Sequence, residues 1–155
     1  QVEAEVVAPM ATGWHDLVLA LDVENQLGKG AEAIIPIFVD HPRSSKGRLR
    51  IEPYSNYNPD GGAADLSWDG DTLRILGEAK LGVMPIPLSE AHYDSILAER
   101  DDVPRSELSP GALISLWTNE GRRGLLFVRA LESNDLVLDV FMYPSVEPQK
   151  RSLIP

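Results

Sequence analysis

Residues 112–143, ALISLWTNEGRRGLLFVRALESNDLVLDVFMY, decide the fold. Three apolar runs are separated by two polar, turn-like clusters, Asn119 to Gly124 and Glu132 to Asp135. The runs are rich in Leu, Val, Ile, Phe, Trp and Tyr, side chains that suit a pleated surface. Each run is of strand length and each connection of hairpin or short-loop length, which predicts an antiparallel three-strand meander. Side chains alternate across a strand. In the first run Ala112, Ile114 and Leu116 share one face, and Leu113, Ser115 and Trp117 the other. In the last run Leu136, Leu138, Val140 and Met142 make a wholly apolar face, opposite Val137, Asp139, Phe141 and Tyr143. A strand apolar on both faces is covered on both faces, as in a two-layer sandwich or a closed barrel. Asp139 then lies on a largely apolar face and is expected to accept hydrogen bonds from a neighbouring strand, since an unpartnered charge there is costly.

Working outward, the 155 residues suggest one domain, 1–155, with peripheral arms at 1–13 and 144–155. That length buries a core without covalent staples. The chain has no cysteine, which excludes disulfides, a thiol nucleophile and cysteine-ligated metal. The formal charge of −10 disfavours nucleic-acid backbones and anionic lipid as partners. Ten arginines stand against four lysines, a bias toward ordered, planar ion pairs. No apolar run reaches the length of a membrane span.

Residues 14–23, WHDLVLALDV, fit either a helix or a strand. The following turn, Asn25 to Gly30, and the run Ala33 to Val39 favour a hairpin, with Pro36 marking an edge or a bulge. Residues 40–50, DHPRSSKGRLR, hold a basic island of Arg43, Lys46, Arg48 and Arg50. It reads as a charged edge strand or as a contact site for an anion or an acidic partner. Residues 53–65, PYSNYNPDGGAAD, form a polar loop. Tyr54 and Tyr57 offer stacking faces, and Asn56, Asn58 and Asp60 offer hydrogen-bonding groups. With Trp68 nearby, this is the chemistry a sugar site needs: a flat aromatic under the ring and polar groups for its hydroxyls. Ordered turn chemistry explains the same residues. Asp60, Asp65, Asp69 and Asp71 are a local carboxylate cluster, the candidate ligands of a structural calcium, although their spacing fits no EF-hand loop and turn chemistry accounts for every one of them. Residues 81–88 carry two prolines and are extended. Ser89 reads as an N-cap of one short helix near 89–100, burying Tyr93, Ile96 and Leu97.

Catalytic signatures are missing. His15, His41 and His92 fit no metal-ligand spacing, and no serine sits in a nucleophile elbow. No glycine-rich stretch has the strand–loop–helix setting of a phosphate loop. No cofactor other than that calcium is implied. The expected fold is therefore all-β and mainly antiparallel, a β-sandwich of jelly-roll-like kind. Val2 to Glu5 resembles the opening segment of some β-sandwich carbohydrate-binding modules, whose carboxylates help hold a structural calcium; the later glycine- and aromatic-rich pattern of those modules is absent. Residues 125–144 and 21–39 resemble strand pairs of picorna-like viral capsid jelly rolls. The first expectation is a non-catalytic binding module, for carbohydrate or another surface ligand. A structural or assembly protein, such as a capsid or protruding domain that self-associates, is the alternative, and a hydrolytic enzyme is third. Either leading reading implies an extracellular or virion-surface setting.

Overall fold

The computed structural model describes residues 12–21 and 31–145. Every strand pairing within them is antiparallel. The chain divides into two compact units, residues 1–41 and 42–155.

In the first unit β1 (Gly13–Leu21) pairs with β2 (Ala31–Val39), from Gly13 opposite Val39 to Leu21 opposite Ala31. The strand reading of residues 14–23 holds over 14–21, the part that lies within the described residues, because the cross-strand ladder supplies the backbone partners that a helix would have to find internally. Trp14 and Phe38 are directly opposed and meet edge to face, ring centroids 5.4 Å apart. Pro36 lies opposite Asp16 in a strand with no second partner among the described residues, the edge position a proline requires. The expected turn at 25–30 and most of the two arms, residues 1–11 and 146–155, lie outside the described residues.

Among the described residues the second unit holds nine strands. They are β3 (Ser44–Ile51), β4 (Ser55–Tyr57), β5 (Leu66–Trp68), β6 (Thr72–Ile75), β7 (Lys80–Met84), β8 (Asp102–Pro104), β9 (Leu113–Trp117), β10 (Arg123–Glu132) and β11 (Asp135–Met142). Five form one sheet in the order β3-β11-β10-β9-β7, and four form another in the order β4-β5-β6-β8. The predicted meander is β9, β10 and β11. Its faces are as read from the alternation: Ile114, Leu116, Leu126, Val128, Leu136, Leu138, Val140 and Met142 join Leu66, Trp68, Leu73 and Val103 of the smaller sheet in one core. This is a sandwich-like all-β fold. The two sheets meet at one margin, where residues 99–101 pair both ways. The Glu99 and Arg100 N–H groups donate to the Leu81 carbonyl of β7, and the Ile75 N–H of β6 donates to the Asp101 carbonyl.

The outer face of the larger sheet carries a second, smaller core of Met84, Ala91, Ile96, Leu113, Leu125 and Tyr143. The segment after β7 covers it, and here the expected helix near 89–100 gives way. Only two single 3₁₀ turns form, Leu88–Glu90 and Tyr93–Ser95, with extended residues between and after them. Ser95 closes its own turn, its hydroxyl accepting from the His92 N–H and donating to the His92 carbonyl. Ser115 on β9 donates to the Leu97 carbonyl. Together with the Leu81 pairing, these bonds draw residues 95–100 along the sheet rather than into a helical ladder. Ile96 is buried as expected, whereas Leu97 is exposed.

Asp139 faces this outer side and is partnered as its position demands. Arg48 of β3 donates to Oδ1 at 3.1 Å, and Arg129 of β10 donates to Oδ2. Arg129 is the extra residue of a bulge between Val128 and Ala130, a device that re-aims a side chain. Burial pushes the Asp139 pKa up, but the two guanidiniums outweigh it and the carboxyl titrates below its ordinary range.

Candidate functional site

The smaller sheet has two unlike faces. Inward are Tyr57, Leu66, Trp68, Leu73 and Val103. Outward, the register aligns one residue from each strand in a row, Asn56, Ser67, Arg74 and Asp102. Asn56, Arg74 and Asp102 are exposed and Ser67 is half-buried. Arg74 donates to Asp69 at 2.9 Å. Tyr54 stands at the entry to β4, 88% exposed. Its backbone is left-handed, φ 64°, an uncommon state for a non-glycine residue. Its N–H donates to the Trp68 carbonyl, which anchors the backbone while leaving the ring outside.

The other predicted ligand-contact residues separate. Trp68 is not a platform: it is 1% exposed and its indole N–H donates to the Asn134 carbonyl at 2.7 Å. The alternation Leu66-Ser67-Trp68 carries the reason, since it places Trp68 on the face of Leu66. Tyr57 is half-buried against the core, and that burial raises its phenol pKa. Asn58 builds the following turn, Oδ1 accepting from the Asp60 and Gly61 N–H groups and Nδ2 donating to the Gly62 carbonyl.

Of the four aspartates read as a cluster, only Asp60 and Asp65 come together. Asp69 caps its own hairpin turn, accepting from the Asp71 and Thr72 N–H groups at 2.8 and 2.7 Å, and these bonds hold its pKa down. Asp71 is exposed in that turn. The third partner of Asp60 and Asp65 is Glu120, from the β9–β10 connection. One oxygen from each of the three lies within 4.8 Å of the others. Asp65 is fully buried. Its Oδ1 accepts from the Asn119 N–H at 2.6 Å, while Oδ2 and both Asp60 oxygens are buried without a hydrogen bond. Burial raises the Asp65 pKa; the Asn119 N–H opposes this, and the charges of Asp60 and Glu120 add to it.

Asn119 is the clip that builds this corner. Its Oδ1 accepts from the Glu78 and Ala79 N–H groups at 2.7 and 3.1 Å, and its Nδ2 donates to the Ala64 carbonyl at 3.2 Å. Glu120 Oε1 accepts from the Ala63 N–H at 3.1 Å. Its carboxylate lies so close to Gly62 that a Cβ there would collide with it, so glycine is needed for the approach. Nothing near Asp60 or Asp65 in sequence points to Glu120, which reads as an ordinary turn residue of a different hairpin.

The basic island is largely absorbed by internal contacts. Arg43 donates to the Ala91 carbonyl and the Tyr143 hydroxyl, Arg48 to Asp139, and Arg50 to Asp135 and Glu132. Lys46 is exposed at the bulge of β3 against β11. A shallow pocket lies beside Arg43, lined by Pro42, Ser44, Arg122 and Pro144 as well. No helix among the described residues is long and apolar enough to cross a membrane. No protein-family model matches the chain, and neither does any curated protein or solved structure.

Proposed function

We propose that this chain is a non-catalytic binding module that recognises a carbohydrate, or a similar hydroxyl-rich surface ligand, on the outer face of its four-stranded sheet. One observation carries the reading: an aromatic ring held outside by a left-handed backbone, at the entry to a sheet whose solvent side is a row of hydrogen-bonding side chains. A tyrosine face stacks on the C–H side of a sugar ring. Asn56, Ser67, Arg74 and Asp102 supply donors and acceptors for its hydroxyls. The backbone spends conformational freedom on keeping Tyr54 in the left-handed region, a strain that functional positions store. Display at a cell or particle surface is part of this reading. A glycan array tests it: binding is expected, and Tyr54→Ala and Arg74→Ala should each weaken it at least about tenfold, the effect of losing one good contact. Binding unchanged in both variants, or no binding to any glycan, overturns it.

A second reading, assembly with further copies, is favoured by the β1–β2 hairpin. Trp14, Val18 and Ile34 stand exposed on it, and a two-stranded ribbon is marginal in water without something to pack against. Light scattering after size exclusion separates the readings. A discrete oligomer that Trp14→Ser dissociates supports assembly, and a monomer at all concentrations removes it.

A further inference from the structure

We propose that Asp60, Asp65 and Glu120 form a binding site for a hard divalent cation, calcium by preference. Carboxylates crowd together on many acidic proteins without holding an ion, so the cluster alone decides nothing. What distinguishes this one is the state of its oxygens. Asp65 is fully buried and its Oδ2 has no hydrogen bond, in a carboxylate that brings one oxygen within 4.8 Å of oxygens of the other two. Both oxygens of Asp60 are likewise buried without a partner. Buried polar atoms are nearly always paired, and a cation would answer both the open lone pairs and the charge of three orphaned carboxylate oxygens in one corner. Among the described residues no Arg or Lys makes an ion pair with any of the three carboxylates.

The dimensions fit an ion. Two oxygens on opposite sides of one calcium, each at about 2.3–2.6 Å, are about 4.6–5.2 Å apart, and the three carboxylates each bring an oxygen within 4.8 Å of the other two. The donor set is all oxygen, with no imidazole or thiolate, which selects calcium over zinc or copper. Calcium also takes irregular, crowded carboxylate sets, whereas magnesium keeps a regular octahedron and most of its waters. The ion would bridge the loop between β4 and β5 to the connection between β9 and β10, joining one sheet to the other at a corner that Asn119 already clips. This site is separate from the sheet face assigned to ligand recognition, and either can fail without the other.

The test uses the full chain, stripped with a chelator and desalted, then titrated with calcium chloride by calorimetry and followed by thermal melting. One calcium per chain is expected, with the midpoint rising by about 5–10 °C at a hundredfold excess over Kd. Magnesium should bind at least about tenfold more weakly. Asp65→Asn and Glu120→Gln should each weaken calcium at least tenfold, while Asp69→Asn and Asp71→Asn leave it unchanged. Gly62→Ala, which removes no ligand and only pushes the Glu120 carboxylate aside, should weaken it as well; it stands in should Asp65→Asn not fold. Absence of stoichiometric binding overturns the proposal, and so does binding that survives Asp65→Asn, Glu120→Gln and Gly62→Ala alike.

Discussion

Asp139 and Asp65 are two carboxylates drawn into the same folded unit under opposite electrostatic terms. Asp139 leaves β11 into the reach of Arg48 and Arg129, one guanidinium for each oxygen. Asp65 sits deeper, with one oxygen satisfied by the Asn119 N–H and the other buried without a hydrogen bond, in a cluster with Asp60 and Glu120. The first pKa is lowered and the second raised. A carboxylate held only for the fold is surrounded by donors, as Asp139 is. Excess negative charge with unfilled oxygens is the opposite arrangement, and it is the observation on which the proposed cation site rests. The local composition is no guide to which case applies: the basic island and the acidic loop look equally solvated as sequence, and only the island is neutralised from within.

The contrast can be broken most forcefully at the clip. Asn119→Ala should lower stability by about 1–3 kcal/mol, because the Glu78, Ala79 and Ala64 backbone groups lose their side-chain partners. Chemical denaturation measures this, and calcium should no longer restore a wild-type midpoint. Asp139→Asn comes next. It should cost about 0.5–1 kcal/mol, the range of partly exposed ion pairs, and the loss should shrink in 1 M salt, where the Debye length is about 3 Å. The third effect is smaller and opposite in sign: in chelator near neutral pH, Asp65→Asn should raise stability on the order of 0.5 kcal/mol, since it keeps the acceptor for Asn119 and removes an unpaired charge. A loss there equal to that at Asp139 would erase the contrast.

The pH dependence sharpens the same comparison. Because the folded-state pKa of Asp65 is raised, its contribution to stability is present in full below the ordinary carboxylate value of 3.8 and is lost as pH rises through the raised value. Asp139 behaves in reverse: its contribution is present above 3.8 and is lost as pH falls through its lowered value. Melting curves against pH in chelator should therefore lose part of the decline above 3.8 in Asp65→Asn and part of the acid limb in Asp139→Asn. Saturating calcium should suppress the Asp65 decline in the wild-type chain, since it binds the ionised form.

Much of the fold is legible in residues 112–143. Alternation is a local property, and each apolar face of that meander meets the core its pattern implies, down to the pairing demanded of Asp139. The short helix near 89–100 is not legible in the same way. Its capping and spacing are genuine local signals, yet residues 95–100 find better partners on β7 and β9, and tertiary pairing outweighs a weak helix preference. Trp68 shows the complementary limit. Its neighbours mark a loop of sugar-binding character, but its parity with Leu66 sends it into the core.

The sequence by itself determined the meander strands, their faces and the surplus of acid, because periodicity, turn residues and charge are written within a few positions of one another; it did not show the short β4, which lies within the stretch read as a polar loop. It did not determine which carboxylates would meet. Glu120 is more than fifty residues from Asp65, and the two converge only because opposite sheets of the second unit close on each other and Asn119 pins their loops together. Distance along the chain carries no information about that corner; packing does.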